Sequence, residues 1–107
     1  MVNQGDIIWL DFDPGLGTEQ KGRRPALVVS NEKYHNITQK RAIVCPITKT
    51  DRSYLTHIRL DSDSVIQGVV LTDQMKVVDL VSRKYDFIER ASDEVVSEVL
   101  DIIKDFM

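Results

Sequence analysis

Short apolar runs separated by polar breaks fill most of the chain, and only its C-terminal segment changes period. Asp6 to Phe12 holds Ile7, Ile8, Trp9 and Leu10 together and predicts a first strand; Pro25 to Ser30 predicts a second. Ser30 to Asn36 is polar, a turn or a single helical turn. Arg41 to Ile47 predicts a third strand, in which Pro46 implies an edge, a bulge or a strand end because it has no N–H to give. Thr48 to Thr56 is a polar loop. Thr56 to Leu60 alternates polar and apolar, Val69-Val70-Leu71 follows Gly68, Val77 and Val78 make a short continuation, and Tyr85 to Arg90 alternates again. The tail then takes helical spacing. Ser92 is placed to cap it, Asp93 and Glu94 sit where the helix dipole favours anions, and Val95, Val99, Ile102 or Ile103, and Phe106 form one apolar stripe. Many short strands closed by one amphipathic helix predict a mainly β domain, a small, strongly bent sheet or partly open barrel.

With 107 residues, 42% of them hydrophobic, the chain is expected to be one domain over 1–107. No apolar run approaches the length needed to span a bilayer, and Met1 to Asp6 has neither the basic region nor the apolar core of a signal peptide, so a cytoplasmic protein is expected. Cys45 is the only cysteine and lies inside an apolar strand, which makes it a buried structural thiol. Net charge is −3, which by itself argues against a nucleic-acid partner, but the charge is uneven. Residues 18–60 carry nine Lys and Arg against three acids, while the remaining segments are all acidic. Local potential, not net charge, steers a polyanion.

That basic segment opens with Gly17-Thr18-Glu19-Gln20-Lys21-Gly22-Arg23-Arg24-Pro25, a polar loop between two strands. Pro25 restricts Arg24 to an extended backbone at the mouth of the second strand, where a guanidinium can grip a phosphate through two parallel hydrogen bonds. His35 and His57 have no zinc-like spacing, Asp11 and Asp13 lack the later ligands of a calcium loop, and neither a nucleophile elbow nor a phosphate-binding P-loop is present. No metal or cofactor is expected. What remains is chemistry in which the substrate brings its own nucleophile, as RNA does with its 2′-hydroxyl. An arginine, a hydroxyl donor and a carboxylate suffice to align, stabilise and deprotonate. Arg24, Thr48 and either Glu19 or Asp73 supply them.

Five blocks carry a resemblance: Gly5-Asp6-Ile7-Ile8-Trp9, Asp11-Phe12-Asp13-Pro14, Gly17-x-Glu19-Gln20-x-Gly22-x-Arg24-Pro25, Pro46-Ile47-Thr48 and Gly68-Val69-x-Leu71-x-Asp73-Gln74. In this order the chain resembles the MazF/PemK family of toxin endoribonucleases over nearly its whole length. The resemblance implies an SH3-like barrel with an appended helix, a homodimer, and metal-independent, sequence-selective cleavage of single-stranded RNA that leaves a 2′,3′-cyclic phosphate and a 5′-hydroxyl. It also implies an antitoxin whose flexible C-terminal segment covers the RNA groove. Arg24 falls on the family's catalytic arginine, Thr48 on its hydroxyl position, and Glu19 with Gln20 on the acid–amide pair of the first long loop. Asp73 and Gln74 fall on a later pair. Around these, Thr18, Lys21 and Arg23 are expected to contact RNA from the first loop, and Lys49 and Arg52, with Arg59, from the other side.

One departure touches the mechanism. Some members carry an arginine two residues before the Asp-Gln pair and use it with the aspartate for proton transfer; here that position is Leu71. Asp73 as general base is thereby weakened and Glu19 is its equal. Asp73-Gln74 can equally be a structural turn. Trp9 reads as core or dimer interface. Two rivals are a CcdB-like poison that binds a protein target on the same scaffold, and a non-catalytic SH3-like adaptor for proline-rich peptides. The first lacks a use for Arg24 and Thr48, and the second needs a clustered aromatic groove that one Trp and three scattered Tyr do not suggest.

Overall fold

A computed structural model describes residues 1–12 and 22–107. The elements follow in the order β1 (Asp6–Asp11), β2 (Arg23–Val28), α1 (Glu32–Thr38), β3 (Arg41–Thr48), β4 (His57–Arg59), β5 (Val69–Leu71), a 3-10 turn (Thr72–Gln74), β6 (Lys76–Asp79), β7 (Tyr85–Arg90) and α2 (Asp93–Asp105). Seven strands form one antiparallel sheet in the order β4-β5-β3-β2-β1-β7, with β6 also pairing β3. The path ends at β4 and β7, so the sheet is bent but not closed into a barrel.

The long apolar runs have a simple cause: both faces of the central strands are covered. Ile7, Leu27, Cys45 and Ile47 join Val95, Val99 and Ile103 of α2 in one buried cluster. Their neighbours Ile8, Leu10, Ala26, Val28, Ala42 and Val44 point the other way, into a second cluster completed by Val2, Phe12 and Val78. Among the described residues no helix contributes to that second cluster; strands meet across it, as in a sheet curled on itself. The α2 cap is as expected, with Ser92 Oγ accepting from Val95 N–H at 3.2 Å.

Pro46 sits inside β3, opposite Ala26 of β2. On its other edge β3 pairs with β6 through Val44 and with β5 from Ile47. Pro46 therefore stands where β3 changes partner and no ladder asks for its missing N–H. Two boundaries differ from expectation. Residues 32–38 form a two-turn helix, longer than the turn or single helical turn expected, because Asn31 caps it through Tyr34 N–H (3.1 Å) and Gln39 closes it with a left-handed backbone. β2 begins at Arg23, so Arg23 and Arg24 belong to the strand, paired with Asp11 and Leu10.

Candidate functional site

The β2–β3 ladder pairs Ala26 with Pro46 and Leu27 with Cys45. Arg24 lies two residues before Ala26 and Thr48 two residues after Pro46, so both stand beyond the same end of this ladder. Both residues line a cleft of about 640 Å³, together with Trp9, Arg23, Lys49 and a wall from Val65 to Gln67. Thr48 also lines a second recess of about 340 Å³, whose other walls include Arg52, Tyr54, His57, Asp73 and Gln74. Thr48 and Thr50 thus line both. The Thr48 side-chain oxygen accepts a long hydrogen bond from Thr50 N–H (3.3 Å), which turns the chain away from β3 and leaves the hydroxyl proton available to donate.

The predicted residues divide accordingly. Arg23, Arg24, Thr48 and Lys49 share the first cleft; Thr48, Arg52, Asp73 and Gln74 share the second. Arg59 lies apart, in a recess with Lys49 and Asp51, and donates to Asp51 at 2.8 Å. That hydrogen bond, with one from Ser53 N–H, holds the Asp51 carboxyl below the usual carboxylate range. Arg23 is paired with Asp86 of β7, so its charge is partly neutralised where it stands. Thr18, Glu19, Gln20 and Lys21 lie outside the described residues. The described residues on either side of them are joined by a hydrogen bond from Phe12 N–H to Gly22 C=O at 2.8 Å, next to Arg23.

Three features escape sequence reading. Trp9 is not core: it is 36% exposed and faces the cleft. Tyr54 and His57 join the second recess, with ring centroids 4.9 Å apart. Gly68, at φ +129°, brings its backbone against Thr48: a Cβ there would lie 2.2 Å from the Thr48 carbonyl oxygen. The glycine was visible before a strand, but the close approach is a property of the fold. Cys45 is wholly buried, and burial, with the Asp73 charge, pushes its thiol up to about 12, so it takes no part in chemistry. Among the described residues no group of three His, Cys, Asp or Glu is arranged to hold a metal ion, and no helix is long and apolar enough to cross a membrane. The acids of α2 face solvent, and none of these three recesses is lined by that helix.

Set beside known proteins, the chain matches the model of the PemK-like, MazF-like toxin family of type II toxin–antitoxin systems over residues 3–107. It is 41% identical over 76 residues to the Escherichia coli endoribonuclease toxin MazF, covering 71% of this chain and 67% of that one. It is 36% identical over 103 residues to the Escherichia coli endoribonuclease toxin ChpB, covering 91% and 86%. Among solved structures it superimposes on MazF from Deinococcus radiodurans with TM-score 0.89 at 33% identity, covering 98% of this chain and 94% of that one. A MazE–MazF complex from the same organism matches with TM-score 0.84, again at 33% identity and with the same coverage.

Proposed function

Because the chain belongs to the PemK-like, MazF-like toxin family of type II toxin–antitoxin systems, we propose that it is an endoribonuclease toxin that cleaves single-stranded RNA through the substrate's own 2′-hydroxyl. The observation that carries this reading is that Arg24 and Thr48, beyond the same end of the β2–β3 ladder, share the wall of one cleft. The 2′-oxygen attacks the adjacent phosphorus, the bond from phosphorus to the 5′-oxygen breaks, and the products are a 2′,3′-cyclic phosphate and a 5′-hydroxyl. The Arg24 guanidinium offers paired N–H donors to the phosphoryl oxygens, and the Thr48 hydroxyl a further one, as charge accumulates there. The 2′-hydroxyl proton passes to a carboxylate, Glu19 or Asp73, and the leaving 5′-oxygen takes up a proton. Leu71 is buried and has none to give. Lys49, Arg52 and Arg23 hold the backbone on either side, with Thr18, Gln20 and Lys21 completing the grip from the first loop.

The assembly we propose is a homodimer, neutralised by a cognate antitoxin whose flexible C-terminal segment lies in the same cleft, and acting on mRNA in the cytoplasm without a metal. The Deinococcus radiodurans MazE–MazF complex is a precedent for the toxin–antitoxin pairing. The test is incubation of the protein with a long single-stranded RNA in EDTA, with Arg24→Ala beside it. Discrete fragments with 5′-hydroxyl ends from the native protein are expected. Their rate should fall on the order of a hundredfold or more in the variant, the usual cost of one transition-state donor. Intact RNA with a folded, antitoxin-free native protein would overturn the reading.

A further inference from the structure

A carboxylate stands directly behind one wall of the cleft that holds Arg24 and Thr48. Glu89 of β7 accepts from two successive backbone N–H groups, that of Val65 through Oε1 at 3.1 Å and that of Ile66 through Oε2 at 2.8 Å. Val65, Ile66 and Gln67 form that wall. They belong to the connection between β4 and β5, which is neither strand nor helix. Its neck is closed where Leu60 N–H donates to Gly68 C=O at 3.0 Å, and within it Gln67 Nε2 donates to the Ser62 and Ser64 carbonyls. Those bonds shape the loop. Ile66, packed against the buried cluster under α2, and the Glu89 carboxylate anchor it to the rest of the molecule. The same carboxylate spans an opening in the sheet: β4 and β7 are the two ends of the strand order, and Glu89 ties the loop that follows one to the other.

Strand pairing aims the side chain. Glu89 lies across from Ile7, and Ile7 and Trp9 share one face of β1, so Glu89 is on the face from which Trp9 reaches the cleft. A negative charge in that place is a cost to RNA binding. Arg23, Arg24 and Lys49 line the same cleft, and an acid behind its wall opposes the field they set up for a polyanion. What the acid supplies in return is geometric. A carboxylate presents two acceptor oxygens to two successive N–H groups at once, in charge-assisted bonds that a hydroxyl or an amide cannot match. We propose that Glu89 is a positioning residue of the RNA cleft, whose carboxylate holds residues 65–67 as a preformed wall. A wall in place before RNA arrives takes no binding energy to order, whereas an unanchored one must be ordered at the expense of affinity. The inference rests on the nuclease reading above and adds to it a residue that touches neither RNA nor the reacting atoms. Gly68, pressed against the Thr48 carbonyl, separates the two effects: the loop end beside Thr48 is fixed by the β3–β5 ladder, and the wall beyond it by Glu89.

The experiment is steady-state cleavage of a short RNA carrying one cut site, mapped first with the native protein, by the native protein, Glu89→Ala and Glu89→Gln. Thermal melting and amide hydrogen exchange are measured on each. Loss of the negative charge alone would tighten RNA binding and lower KM. The proposal requires the opposite. Glu89→Ala should raise KM roughly tenfold, the scale of one charge-assisted hydrogen bond, with kcat at saturation near native because Arg24 and Thr48 are untouched. Glu89→Gln loses the same charge but keeps one acceptor oxygen, so its KM should fall between the two. The Val65 and Ile66 amides should exchange faster in both variants, and fastest in Glu89→Ala. Glu89→Gln has the native size and carries the test if Glu89→Ala does not fold. A native or lowered KM in the folded variants would overturn the proposal, even with a lower melting temperature, since Glu89 would then be structural only. A fall in kcat with KM unchanged would also overturn it. If the native protein leaves RNA uncut, the nuclease reading falls and takes this one with it; if native and variants cut with the same KM, only this one falls.

Discussion

The two ends of the β2–β3 ladder treat their buried polar groups in opposite ways, and each end has one of the chain's two histidines. Beyond Val28, Ser30 Oγ accepts from Ile43 N–H at 2.8 Å and lies 2.6 Å from His35 Nε2. His35 is 2% exposed and bonds the Val2 backbone as well. In the neutral ring, Nε2 accepts the Ser30 proton and Nδ1 donates to Val2, so every polar atom there is satisfied. At the other end, Arg23, Arg24 and Lys49 line the cleft, and among the described residues His57 Nδ1 and Gln74 Oε1 have no hydrogen-bond partner. Burial is common to both histidines, so burial does not separate a structural polar group from a functional one. Satisfaction does: the paired end locks α1 to the sheet, and the other end has buried polar atoms that no described residue satisfies.

The strongest way to break the contrast is to damage the open end through the backbone. Gly68→Ala puts a methyl group 2.2 Å from the Thr48 carbonyl oxygen and 2.8 Å from its carbon, at a φ of +129° that side chains avoid. Backbone must move, and Thr48 moves with it. Stability should fall by about 1–3 kcal/mol, the range for overpacking. The cleavage rate of the protein that remains folded should fall on the order of a hundredfold, as expected for an ångström of misplacement. Thermal unfolding and single-turnover cleavage, measured together, check both. A variant with native melting and native rate would show that Thr48 tolerates displacement and does not contact the phosphate.

The satisfied end gives a smaller and opposite result. His35→Gln should cost about 1–3 kcal/mol of stability, from polar groups left unpaired, while the cleavage rate per folded molecule stays native. The pH dependence sharpens this. Burial lowers the His35 pKa below 6.5, against the weaker opposing pull of the Val2 hydrogen bond and of Asp6. Above pH about 6.5 the ring is neutral folded and unfolded alike. Below it the unfolded chain takes up a proton that the buried ring resists, so native stability should decline as pH drops from 6.5 toward the lowered folded value. Denaturant midpoints across that window should slope for the native protein and be flatter for His35→Gln. Equal slopes would place the titration elsewhere.

What could be read from the sequence follows the same division. α2 was legible because its period is clean and it has one buried face. α1 was not: Glu32 to Thr38 has no apolar stripe, and its one buried side chain is His35, which only the fold can satisfy. The resemblance named Arg24 and Thr48, yet that both line one cleft depends on how β2 and β3 pair, which a list of blocks does not contain. Trp9 sits between Ile8 and Leu10, both wholly buried, and its exposure comes from the cleft beside it. The unsatisfied atoms of His57 and Gln74 are invisible in one dimension, because a missing partner is a fact about everything nearby.

The finest distinction concerns one cation at the open end. Arg23 faces the cleft but is paired with Asp86, at side-chain exposures of 46% and 70%. An exposed pair of this kind contributes about 0–1 kcal/mol, so Asp86→Asn should leave the melting temperature almost unchanged. Its effect should appear in binding. With Asp86 neutral, Arg23 is released to a phosphate, and each phosphate neutralised on a single strand adds roughly 0.7 to the slope of log affinity against log salt. Anisotropy titrations with a fully 2′-deoxy oligonucleotide, which has no nucleophile and stays intact, should give tighter binding at low salt and a slope steeper by about that amount. Arg23→Ala should do the reverse only where Arg23 already shares itself between Asp86 and the strand. Identical slopes in all three proteins would remove Arg23 from the RNA contacts and confine the phosphate grip to Arg24, Lys49 and Arg52.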